Sequence, residues 1–159
     1  MNQPPESPEQ RFVQLTDPLP PAPKPIGNYV PCKQVGDLLY LSGHGPLTAQ
    51  KTLICGVVGE SLSVEQAYQA ARITGLGILQ TIRRELGTLD AVAEVVRTFG
   101  MMRAAGDFTQ HAQVIDGCSD LFAEIFDGDS GRSSRCAVGM GSLPQGIVVE
   151  IETIFRLHA

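Results

Sequence analysis

The chain predicts an α+β fold: a mixed six-stranded sheet with two helices on one face. Three observations carry this. Short β-branched and apolar runs recur through the second fifth of the chain and again after residue 92. Two longer stretches repeat apolar residues at helical spacing. The strands also come in groups rather than alternating one for one with helices, so the expected order is β-β-β-α-β-α-β-β.

Residues 1–26 carry Pro4, Pro5, Pro8, Pro18, Pro20, Pro21, Pro23 and Pro25, a density that removes backbone donors and favours extended chain. They read as an arm, flexible or draped over the surface, ahead of a single domain over 27–159. "YVPCKQV" and "LLYLSG" flank Gly36-Asp37 and predict a hairpin. "TLICGVVG", Thr52 to Gly59, is the third strand. Ser63 and Gln66 form the S-x-x-Q of a capping box and open the first helix. Gly87 suits its C′ position, and small Ala71 and Gly75 suit close approach to a sheet. "AEVVRTFGMM", Ala93 to Met102, is a central strand, and His111 to Phe126 is the second helix. "RCAVGM" and "IVVEIETIF" complete the sheet, with "SLPQG" turning between them.

Composition narrows the functions. The net charge is −5, and among twelve Lys and Arg only Arg83 and Arg84 are adjacent, which argues against nucleic acid as a partner. No pair among the four cysteines and three histidines has zinc-site spacing, so no metal is expected. The cysteines read as small reduced hydrophobes. No run reaches the roughly 20 apolar residues of a membrane helix, and the N-terminus lacks the pattern of a secretory signal, so a cytoplasmic location is expected. A sheet with one uncovered face predicts oligomers with clefts between subunits.

Arg135 is the residue that the pattern leaves unexplained. Alternation places it with Ala137 and Gly139 on one face, an almost empty surface, and Cys136, Val138 and Met140 on the other. If "LPQG" makes a four-residue hairpin loop, Gly139 pairs with Glu150 and Arg135 shares the face of Glu150, roughly 13 Å away along the strand. A guanidinium fork suits a carboxylate, and a glutamate beyond it can hold water or move a proton. Alternatively, Arg135 pairs with Glu150 or with an acidic group of a neighbouring subunit, and a one-residue slip separates the two onto opposite faces.

"SRCAVGMGSLPQGIVVEIETI" resembles the closing signature of the Rid family, also called YjgF-like or L-PSP endoribonuclease-like. "PIGNYVPCKQVGDLLYLSGHGP" resembles its N-terminal hairpin, and "LSVEQAYQAARITGLGILQTIRRELGTLDAVAEVV" its first helix and following strand. The resemblance implies a chorismate-mutase-like fold and a homotrimer whose sheets form a central barrel with three inter-subunit clefts. For the deaminase branch it implies hydrolysis of enamine and imine intermediates such as 2-aminoacrylate to keto acids and ammonia, without a metal or organic cofactor. By motif, Arg135 matches the arginine that grips the substrate carboxylate and Glu150 the glutamate associated with the attacking water. Tyr29 and Ser42 match further pocket residues.

Three positions mark a divergent branch. Ala137 stands where a cysteine is usual, and Ser42-Gly43-His44 stands for S-G-Q. Asp116 stands for an asparagine before the second helix. His44 shares the strand parity of Ser42 and either enters the cleft as an acid, base or donor, or bonds a loop carbonyl. The expected function is therefore an enamine/imine deaminase binding a small carboxylate. The alternatives are a non-catalytic carboxylate-binding regulator and, against the charge balance, an endoribonuclease.

Overall fold

The computed structural model describes residues 5–159; the first four residues of the proline-rich arm, Pro4 among them, lie outside the described residues. The elements run α1 (Pro8–Val13), β1 (Cys32–Val35), β2 (Leu38–His44), α2 (Val64–Leu86), β3 (Val92–Arg103), α3 (His111–Phe126), β4 (Ser134–Met140) and β5 (Val149–Leu157). The sheet has five strands in the order β1-β2-β5-β3-β4. The α+β class holds; the six-stranded count does not.

The missing strand is Thr52–Gly59. Gly56 and Gly59 take positive φ of 141° and 86°, which breaks an extended run. Its backbone bonds go to several neighbours instead of one partner strand: Gly56 N–H donates to Gly146 O, Val58 N–H to Arg103 O, and Ile54 O accepts from Val148 N–H. The segment ties loops together across one end of the sheet.

β1 and β2 form the expected hairpin, Val35 opposite Leu38, with Gly36 at φ 63° in the turn. The expected hairpin between the last two strands is absent. β3, α3 and β4 form a parallel β-α-β unit, because the sixteen-residue α3 carries the chain back to the start of β3. β5 then fills the space between β2 and β3, antiparallel to both. β3 therefore separates β4 from β5.

Both long helices cover one face. α2 starts at the Ser63–Gln66 capping box and ends at Gly87, φ 84°. Gly75 serves a different neighbour from the one expected. It meets α3 rather than the sheet, and a Cβ there would lie 3.0 Å from Leu121 and 3.1 Å from Cys118 Sγ. Gly117 does the same from α3, where a Cβ would collide with the Tyr68 carbonyl. Beneath them Val149, Ile151, Thr153, Phe155 and Leu157 of β5 are buried, while Glu150, Glu152, Ile154 and Arg156 point to the uncovered face. No helix among the described residues is long and apolar enough to cross a membrane.

Part of the arm is fastened down. Ser7 and Gln10 form a second capping box, Pro8 takes a position where helices tolerate proline, and Phe12 is fully buried. Glu9 receives Arg83 at 2.7 Å, and Arg72 holds Asp17 through two bonds of 2.8 and 3.0 Å.

Candidate functional site

Tyr29, Ser42 and Glu150 converge on one cavity of about 730 Å³ on the uncovered side of the sheet. A β-bulge in β2 builds its floor. Leu41 pairs with Thr153 and His44 with Ile151, so Ser42 and Gly43 together oppose Glu152. The absence of a side chain at Gly43 lets the Glu150 carboxylate lie where it does, because a Cβ there would overlap it. Ser42 Oγ donates to Val30 O at 2.6 Å, which pins the chain that carries Tyr29. The Tyr29 hydroxyl accepts from Ile26 N–H at 3.3 Å, and its ring remains 46% exposed.

Among the described residues Glu150 makes no ion pair, although Lys24 and Lys51 line the same cavity. Burial, followed by the charge of Glu152, pushes its carboxyl above the usual carboxylate range. Such a group exchanges a proton nearer neutrality than an ordinary glutamate does. Lys51 and Gln145 also line this cavity and hold positive φ of 63° and 55° although neither is glycine. Backbone strain of this kind gathers at functional sites.

Arg135 stands elsewhere. It pairs with Thr98 of β3, which pairs with Thr153 of β5, so it shares the helix-covered face. Glu150 pairs with Met101, which pairs with Val138, on the uncovered face. The expected sharing of a face by Arg135 and Glu150 is thus overturned, because it rested on a β4–β5 hairpin that does not form. The alternation within β4 stands, with Cys136 facing away from Arg135.

α3 supplies the partners of Arg135. Nη1 donates to Asp116 Oδ1 at 2.6 Å and to Ser119 Oγ at 3.0 Å, and Nη2 donates to Ala112 O at 3.4 Å. Asp116 lies inside α3, within the helix span read from the sequence, and its place on the helix, beneath the edge strand, is what brings it to the guanidinium. His111 stands over the bare Gly139, Nε2 3.0 Å from where a Cβ would lie. The bare Gly139 of β4 thus makes room for an α3 side chain.

His44 does not enter the cavity with its ring. The bulge reverses strand parity, so it turns away from Ser42 and under α2, 3% exposed. Nδ1 lies 2.6 Å from Ser42 O and Nε2 2.8 Å from Thr81 Oγ1. A carbonyl can only accept, so Nδ1 carries the proton, and Nε2 competes with Gly77 O, 3.1 Å from Thr81 Oγ1, for the one Thr81 hydroxyl proton. Burial drives its pKa down to about 4, so the ring is neutral at physiological pH. This is the structural histidine among the two readings of the sequence.

Gly43, Ser119, Lys51 and Gln145 are site residues that sequence reasoning passed over. Gly43 was within reach, since it lies inside the quoted S-G-H motif. A further cavity of about 390 Å³ lies between the arm, α2 and α3, and its Arg72 is already paired with both Asp17 and Glu124.

A five-stranded α+β sheet in the order β1-β2-β5-β3-β4, with both long helices on one face and the other face bare, defines the class of fold to which the chain belongs. Comparison names the class. The sequence profile of the family described as "YjgF/chorismate_mutase-like, putative endoribonuclease" matches residues 9–152, and the chain belongs to this family. It is similar to Protein TCP17 of Trypanosoma cruzi, 35% identical over 140 residues, with 88% of each chain covered. It is also similar to RutC family protein y4sK of Sinorhizobium fredii, 31% identical, covering 86% of this chain and 92% of that protein. A crystal structure described as a "putative endoribonuclease" from Shewanella oneidensis matches with a TM-score of 0.90 and 29% identity, over 96% of this chain and all of that one.

Proposed function

We propose that the protein is a hydrolase of small 2-imino acids, acting in clefts between copies of the chain, where Arg135 of one copy meets Glu150 of the next. The observation that carries this is Glu150: a carboxyl that makes no ion pair among the described residues, with a raised pKa, held over Gly43 in a cavity large enough for a small acid. Its separation from Arg135 across the sheet supports a site assembled from two copies, and a homotrimer provides three. Four free cysteines fit a reducing compartment such as the cytoplasm.

In this reading Arg135 holds the substrate carboxylate through its Nε and Nη2 edge. An enamine substrate first tautomerises to the imine. Glu150 removes a proton from water as the water oxygen bonds to C2. It passes that proton to nitrogen, giving a carbinolamine. It then takes the hydroxyl proton from the C2 oxygen and delivers it to the same nitrogen as the C2–N bond breaks, so that ammonia leaves and C2 becomes the keto carbon. The balance is one imine and one water to one keto acid and one ammonia. Tyr29 and Ser42 shape the pocket, and Ser42 can still accept a hydrogen bond although its proton is committed. Because such imines hydrolyse readily in water, positioning and modest polarisation suffice.

Ammonia release from 2-aminoacrylate and a panel of imino acids generated in situ tests the reading. Acceleration is expected from the wild type and not from Arg135→Ala or Glu150→Gln. No acceleration by the wild type across the panel would overturn it. Binding without chemistry is a second reading, favoured by the commitment of Arg135 to Asp116. It requires a small-carboxylate ligand that binds in the absence of ammonia release.

A further inference from the structure

We propose that Asp116 makes the Arg135 site selective for nitrogen at C2: it admits carboxylates that carry an N–H group on the adjacent carbon and disfavours the matching keto acids. This rests on Arg135 as the carboxylate clamp, as read above, and adds the feature of the substrate that the clamp selects.

The argument starts from the protons of one guanidinium. Nη1 spends both on Asp116 Oδ1 and Ser119 Oγ, and Nη2 spends one on Ala112 O. Among the described residues the Nε–H and the second Nη2–H make no hydrogen bond, and neither does Asp116 Oδ2. Nε and Nη2 form an edge that takes a carboxylate through two parallel bonds. The ion pair therefore leaves donor geometry intact while removing most of the attraction. Arg135 contributes +1 and Asp116 −1 within 2.6 Å, so an anion at the open edge meets a clamp of zero net charge.

Both side chains reach solvent: Arg135 is 23% and Asp116 44% exposed. Asp116 is thus open to solvent rather than sealed behind the arginine. A simple carboxylate gains two hydrogen bonds and is repelled by Asp116. A 2-imino or 2-amino acid carries its nitrogen one carbon from the carboxylate, and an N–H there is attracted to the same aspartate that repels the anion. In the keto acid product that atom is a carbonyl oxygen, an acceptor facing an acceptor. The pair therefore distinguishes the atom that the proposed reaction replaces, and it favours release of product. An amide at position 116 would lose the repulsion and could donate to the carbonyl.

Calorimetric titration of the full-length protein with 2-aminobutyrate and with 2-oxobutyrate tests this. The wild type is expected to bind the amino acid about tenfold more tightly or better. Asp116→Asn is expected to weaken 2-aminobutyrate and strengthen 2-oxobutyrate, bringing the ratio to about one or below. Wild-type protein that binds 2-oxobutyrate as tightly as 2-aminobutyrate overturns the proposal without recourse to a variant. So does an Asp116→Asn protein, folded by its melting curve, in which both affinities move together. In those outcomes the clamp itself survives if Arg135→Ala abolishes binding. Failure of the wild type to bind either acid overturns the clamp and this inference together.

Discussion

Arg135 and Glu150 stand in opposite electrostatic circumstances. The arginine, on the helix-covered face, already has a carboxylate, a hydroxyl and a carbonyl from α3. The glutamate, on the bare face, has a second carboxylate for a neighbour and makes no ion pair among the described residues. For the proposed reaction the contrast means that one copy of the chain would hold two half-sites: one supplies geometry at zero net charge, the other a proton acceptor. Joining them would bring the helix-covered edge of one copy to the bare face of another.

The largest expected effect tests that joining directly. Arg135→Ala and Glu150→Gln should each abolish ammonia release, and co-refolded equal mixtures should regain it. If each site takes one residue from each of two adjacent copies, about a quarter of the sites in a random trimer are intact. Mixtures as inactive as either variant alone would place both residues in one copy and break the comparison.

Next in size is the contribution of His44 to the covered side. Its folded pKa of about 4 lies below the ordinary 6.5, so the unfolded chain binds more protons between those values. Stability is therefore full above pH 6.5 and falls as pH drops toward 4, by roughly 3 kcal/mol. Urea unfolding at pH 7 and pH 4.5 should show this loss, and His44→Gln should remove that part of the slope.

Gly43→Ala bears on the bare side. The overlapping atoms belong to the tip of a mobile side chain, so Glu150 can move aside at small cost to folding. Activity should fall about a hundredfold as the carboxylate is displaced, while the melting temperature hardly changes. A large drop in melting temperature with normal activity would mean that Glu150 is not held there for chemistry.

The smallest effect sharpens the contrast. A carboxyl with a raised folded pKa binds more protons in the native state, so stability declines as pH rises through the interval from its unfolded to its folded pKa. Glu150→Gln should therefore raise the melting temperature at neutral pH. The gain should vanish once pH falls below the ordinary carboxylate range. A destabilised variant at pH 7 would indicate that Glu150 has a favourable partner after all.

Features decided by local chemistry were legible from the sequence. Ser63, Gln66 and Gly87 mark α2 because caps act on adjacent backbone groups, and His111 to Phe126 is the observed α3. Ser7-Pro8-Glu9-Gln10 carries the same signal, and the prolines around it obscured α1. Features decided by a distant partner were not legible. The side to which His44 points depends on how β2 is bulged against β5. The position of β4 depends on the path of α3, and the Arg135–Asp116 contact on how that helix packs. Face assignments inherited these errors. Within a single strand, where alternation alone decides, Arg135, Ala137 and Gly139 were grouped correctly.

The bulge at Ser42 and Gly43 also constrains how the gene can change in length. Removing one residue there would restore simple alternation and send either His44 outward or Leu39 and Leu41 away from the core. Inserting one would do the same. The turn at Gly106 and Asp107 is exposed and itself pairs with no strand, so it imposes no such parity. Deep insertion–deletion scanning should therefore find single-residue changes in β2 among the least tolerated in the chain, and those between β3 and α3 among the most tolerated.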